Sequence, residues 1–177
     1  MSNVAKNIIR FILFVLVEVL VLHKIAPLHH LAIPSIYFLF ILWLPFQTGR
    51  RTLMVVAFLI GLSVDAFFKT PGAHAAACVL IAYLRPFLVN LLIPQEGAEM
   101  NYEEPSIKSM GFAPYSTYVI ILVLMHHAWL YLLEALQLGG FLYFIFKTLL
   151  SSAISIVLIL IIEMLFVRRQ KFRTNTA

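Results

Sequence analysis

Asp65, Lys69 and His74 stand close together in GLSVDAFFKTPGAHAAA, residues 61–77, within a chain dominated by Leu, Ile, Phe and Val. A charge at the bilayer centre costs at least about 2.5 kcal/mol on insertion scales, so an ionisable side chain at such depth marks a polar contact or a pairing. Glu18, Arg85, Glu134, Lys147, Glu163 and the adjacent His126 and His127 raise the same question. Neighbouring residues on a helix point about 100° apart, so His126 and His127 do not share one metal as residues spaced i, i+4 do. Each is read as a polar contact between helices. The chain has no G-x-S-x-G elbow, H-E-x-x-H or phosphate-binding loop, so no catalytic signature is recognised and no cofactor is expected.

The elements that must position these groups follow from composition. Of 177 residues, 62% are hydrophobic and 12% charged, against roughly 25% charged in soluble domains. The fold class expected is an all-α integral membrane protein, a single domain over residues 1–177. Crossing about 30 Å of hydrocarbon takes about 20 apolar residues as a helix, which gives about six spans near residues 7–25, 30–47, 52–68, 73–93, 114–134 and 141–166. Only QTGRR separates the second span from the third, so five spans is the other count. The first span follows Lys6 and Arg10 but lacks an A-x-A-like cleavage site, and is read as an uncleaved helix. Pro34, Pro45, Pro71, Pro94 and Pro114 fall at span edges, where a missing N–H costs least; Pro86 falls inside the fourth span and predicts a kink. Cys78, the single cysteine, is read as a small packing residue.

Lys6, Arg10, Arg50, Arg51, Lys108 and the basic tail at 167–177 collect on one side of these spans, with Lys24 and Lys69 on the other. The positive-inside rule then places both termini in the cytoplasm. The net charge of +5 is explained by contact with anionic headgroups, and no nucleic-acid module accompanies it. The loop at 94–113 joins the cytoplasmic side; Glu96, Glu99, Glu103 and Glu104 make it acidic, either a solvated connector or a docking site. Glu18, Asp65, His74, Glu134 and Lys147 all fall in the outer half. Lys147 is the candidate counter-ion of a buried cluster, the other reading being that Asp65 and Glu134 stay hydrated near the interface. Arg85 lies in the inner half and either snorkels to headgroups or pairs with Glu163. Ala57–Gly61, Ala73–Ala77, Cys78–Ala82 and Ser151–Ser155 form small-x-x-x-small pairs that predict close packing of the third, fourth and sixth helices.

Four ordered motifs, IYFLFILWLPFQTGR, GLSVDAFFKTPGAHAAACVLIAYLRPF, EEPSIKSMGF and HHAWLYLLE, cover most of residues 35–134. In these the chain resembles the rod-shape-determining MreD family in its Bacteroidetes form. The family's G-x-x-x-D followed by T-P-G matches Gly61, Asp65, Thr70, Pro71 and Gly72. The resemblance implies a six-helix fold like that of the substrate-binding S-component of energy-coupling-factor transporters. It also implies a non-catalytic scaffold of the elongation machinery in the bacterial inner membrane. MreC would be the direct partner; MreB, a RodA-type polymerase and a class B penicillin-binding transpeptidase would be in the same complex. On this reading Gly61, Asp65, Pro71, Gly72, His74, Arg85, Pro86, Glu134 and Lys147 are the structural or partner-binding polar network. The other reading is a small-molecule or lipid-precursor binding subunit of a transporter, which the shared fold suggests. Against it, the first span has no alanine pair of the kind such subunits use to dock their energising partner.

Overall fold

A computed structural model describes residues 3–22, 24, 32–93, 102–138 and 140–165. The tail at 167–177, Glu96 and Glu99 of the acidic loop, and the side chain of Glu134 lie outside what is described. Among the described residues the fold is all-helical and contains no strand. Helix α1 covers Asn3–Val17 and continues as a π-helical turn over Glu18–Leu22. Helix α2 is a single turn, Leu39–Leu42, and α3 runs Arg50–Phe68. Helix α4, Ala73–Leu92, passes through Pro86 as one element. A second single turn, α5 (Ile107–Met110), precedes the long helices α6 (Phe112–Leu138) and α7 (Phe141–Leu165).

Four of these helices, α3, α4, α6 and α7, are long and apolar enough to cross a membrane. Each buries only part of its surface inside the protein, the pattern of a multi-pass membrane protein whose remaining faces meet lipid tails. Packing proceeds in series: α3 on α4, α4 on α6, α6 on α7, with α1 laid against α2 and α3.

The second span expected from the sequence, residues 30–47, is not a helix. Residues 32–36 have no regular secondary structure, only Leu39–Leu42 make a helical turn, and everything from Ser35 to Leu44 is buried. Pro34 and Pro45 bracket just ten residues, and the residue before a proline is pushed out of the α region. The run is apolar because it fills the middle of the bundle: Tyr37, Phe38, Leu39, Ile41 and Leu42 are fully buried. Apolar content here reports burial rather than a spanning helix.

Candidate functional site

Helix α3 ends where Lys69 takes a left-handed conformation (φ 58°) and its N–H bonds back to the Asp65 carbonyl. Thr70 N–H reaches the same carbonyl at 3.3 Å. The chain reverses through Pro71 and Gly72 (φ 80°) and enters α4 at Ala73. A helix start leaves N–H groups without intrahelical partners, and a Ser, Thr, Asp or Asn at the N-cap normally accepts from them. Here the N-cap is Gly72, which has no side chain to offer.

Asp65 does the capping instead, from the preceding helix. Its Oδ1 accepts from His74 N–H at 3.0 Å and its Oδ2 from Ala75 N–H at 3.0 Å. Oδ1 also accepts from the Thr70 hydroxyl at 2.8 Å and from His74 Nδ1 at 2.9 Å. Since a carboxylate only accepts, these contacts require the His74 hydrogen on Nδ1. Thr70 Oγ1 lies 2.9 Å from the same nitrogen, and Phe68 stacks on the imidazole with centroids 5.4 Å apart. One turn before Asp65, a Cβ on Gly61 would come within 2.4 Å of the Ala75 Cα. Only glycine lets the two backbones approach this closely. Gly61, Asp65, Pro71, Gly72 and His74, chosen from the sequence, therefore converge on one corner, with Lys69 and Pro71 exposed on its rim.

Arg85 belongs to a second centre. It is 2% exposed, too buried for the snorkelling considered from the sequence. Its Nε donates to the Tyr118 hydroxyl at 3.0 Å and its Nη2 to the Leu44 carbonyl. Tyr118 in turn donates to the Leu42 carbonyl at 3.1 Å. Glu163 accepts from the Tyr115 hydroxyl at 3.1 Å, and that hydroxyl accepts from Trp43 Nε1 at 3.2 Å. Two tyrosines of α6 thus stand beside the arginine and the glutamate. Pro86, next along α4, is half-buried.

Four further polar side chains, Glu18, Tyr131, Ser151 and Ser155, share with Arg85 the task of satisfying the backbone of the non-helical segment. Glu18 Oε2 accepts from Ile36 N–H at 2.9 Å and Tyr37 N–H at 3.3 Å. Ser151 Oγ accepts from Ile33 N–H at 3.0 Å and Ser155 Oγ from Ser35 N–H at 2.9 Å. Tyr131 donates to the Ile33 carbonyl at 3.1 Å. Pro34 and Pro45 have no N–H to satisfy. Non-helical backbone is tolerated at membrane depth when it is enclosed by protein and its polar groups are met. Ser151 and Ser155, expected as small packing residues, act as acceptors. Tyr118 and Tyr131 were not picked out from the sequence at all; their only signal was position on an apolar helix.

Lys147 is 3% exposed, and its ammonium lies 4.7 Å from the Tyr131 ring centroid and 5.5 Å from that of Tyr143. Of the carboxylates expected near its depth, Glu18 and Asp65 each turn to backbone N–H groups. His126 Nε2 lies 2.8 Å from the Tyr37 hydroxyl. His127 Nδ1 donates to the Val123 carbonyl at 3.0 Å and Nε2 lies 3.3 Å from Ser155 Oγ. The two imidazoles thus face different elements. Among the described residues no three His, Cys, Asp or Glu side chains come together as metal ligands. In the acidic loop, Glu104 pairs with Arg10 at 2.7 Å and the Glu103 carbonyl accepts from Phe46 N–H at 2.9 Å, so this part of the loop is held against α1 and the turn before α3.

What the arrangement does chemically is hold shape: carboxylates, an arginine and hydroxyls are engaged by backbone groups and by one another. Comparison with protein-family models, with curated proteins and with solved structures finds no match for this chain.

Proposed function

We propose that the protein is a non-catalytic scaffold subunit of a bacterial elongation (Rod) complex, of the MreD kind. It would sit in the inner membrane with both termini cytoplasmic and with an S-component-like arrangement of six passes, the second being the enclosed, largely non-helical segment. Its direct partner would be MreC, in a complex with MreB, a RodA-type polymerase and a class B penicillin-binding transpeptidase. The observation that carries the reading is the Asp65 corner. The residues matching the family's G-x-x-x-D and T-P-G, Gly61, Asp65, Thr70, Pro71 and Gly72, meet in one hydrogen-bonded turn that presents Lys69 and Pro71 outward. A surface fixed before contact loses less conformational freedom on binding, which favours a docking role.

The test is mass spectrometry of proteins co-purified with the tagged chain from native membranes in mild detergent, for the parent and for Lys69→Glu. The parent is expected to bring down MreC with the polymerase and transpeptidase. Lys69 is exposed and makes its cap through backbone, so Lys69→Glu should lower MreC recovery without lowering the melting temperature. Recovery of an ATPase pair with a coupling protein, in place of MreC, would overturn the reading in favour of a transport subunit.

A further inference from the structure

Helices α1 and α3 both begin at the same end of the bundle, at Asn3 and Arg50, and between them runs a groove of about 410 Å³. Phe11, Phe40, Leu44 and Val56 line it, and Ile8 and Leu59, each about half exposed, border it. The polar members of its lining, Asn7, Thr48 and Thr52, lie towards the starts of the two helices.

That end of the bundle is also the basic one. Lys6 and Arg51 are exposed there, each adjacent in sequence to a groove residue, Asn7 and Thr52. Arg50 is turned elsewhere, its guanidinium stacked 4.1 Å from the Tyr83 ring centroid and 4.8 Å from that of Phe87. Arg10 is paired with Glu104 at 2.7 Å, so these two charges offset each other. What remains is an almost wholly apolar trough at the end of the bundle where Lys6 and Arg51 are exposed.

We propose that this groove holds one acyl chain of an anionic phospholipid, with the headgroup over Thr48 and Thr52 and its charge met by Lys6 and Arg51. An apolar trough gives water too few hydrogen-bond partners, whereas a lipid tail matches the lining and is the ambient solvent on this face. Each basic residue near an anionic surface is worth about fivefold in binding, so the charge preference rests on Lys6 and Arg51 together.

The experiment is native mass spectrometry of the full chain in mild detergent, with phosphatidylglycerol or phosphatidylcholine added at equal concentration. One tightly held phosphatidylglycerol is expected, preferred over phosphatidylcholine by tenfold or more. Val56→Trp should fill the groove and abolish the bound lipid. The double variant Lys6→Gln, Arg51→Gln changes only exposed side chains, so it keeps the fold, and it should remove the headgroup preference while leaving a lipid bound. Equal retention of the two lipids by the parent, or undiminished phosphatidylglycerol preference in the double variant, would overturn the proposal. So would a photocrosslinker at Thr52 that labels a protein rather than a lipid in native membranes.

Discussion

Asp65 is the residue on which the α3–α4 corner turns. Replacing it with alanine leaves the N–H groups of His74 and Ala75 without their acceptor and frees Thr70 and the His74 ring. A buried donor left unmet costs about 1–3 kcal/mol, and about 1 kcal/mol moves the melting temperature by roughly 2–4 °C in a chain of this length. Asp65→Ala should therefore lower the melting temperature of the detergent-purified protein by several degrees. The two glycines of the corner separate steric from conformational cost. Gly61→Ala drives a methyl into the Ala75 backbone, which cannot yield without parting the helices, and overpacking of this kind costs about 1–3 kcal/mol or more. Gly72→Ala meets no atom within 4 Å but must hold φ 80°, a strain of about 1–2 kcal/mol. Thermal melts should rank Gly61→Ala as the more damaging. The grouping of Gly61, Asp65 and His74 was legible in the sequence, since a charge amid small residues beside a T-P-G turn has few structural uses. That Asp65 caps the following helix was not, because a cap is ordinarily sought at the position before the helix, here Gly72.

At the scale of elements, the long helices were legible and the second span was not. Helices α3, α4 and α7 fall within two residues of the boundaries read from hydropathy, because long apolar runs closed by turns leave few options. The same reasoning failed between Pro34 and Pro45. A ten-residue apolar run is short for a span and suits a buried or re-entrant segment, and the prolines marked its limits. What hydropathy alone could not supply was the set of side chains that make a non-helical path possible, since Glu18, Tyr131, Ser151 and Ser155 come from three other parts of the chain. Ser155→Ala removes the acceptor of Ser35 N–H, and Glu18→Ala removes that of Ile36 and Tyr37. Both should speed amide hydrogen exchange within residues 33–37 while leaving α3 and α4 protected. Exchange that rises equally across all helices would show instead that this segment opens only with the whole fold.

For the whole molecule, the distribution of charge makes an orientation testable. Lys6, Arg10, Arg50, Arg51 and Lys108 gather where α1 and α3 begin and where the α5 turn docks, while Lys69 marks the opposite end of α3. With Cys78, which is buried, replaced by alanine, a cysteine at Lys69 should react with a membrane-impermeant maleimide applied outside intact cells. A cysteine at Lys108 should react only after the membrane is permeabilised. Labelling in the reverse order would invert the orientation read from positive charge. Internal polar groups at this scale act as ties between parts distant in sequence: Arg10 to Glu104, Arg85 to Leu44, Tyr118 to Leu42, Tyr131 to Ile33.

These ties also order the protein's manufacture in time. Ile33 waits for a partner 118 residues downstream and Ser35 for one 120 residues downstream. At a synthesis rate of about 5–20 residues per second, several seconds pass between the arrival of this segment at the membrane and the emergence of the serines that complete it. During that interval its N–H groups must be met by water in the insertion machinery or by provisional contacts. A chain halted before Ser151 would lack both acceptors, and quality-control proteases have a simple chemical reason to remove it. The part of the chain made early is among the last to be finished.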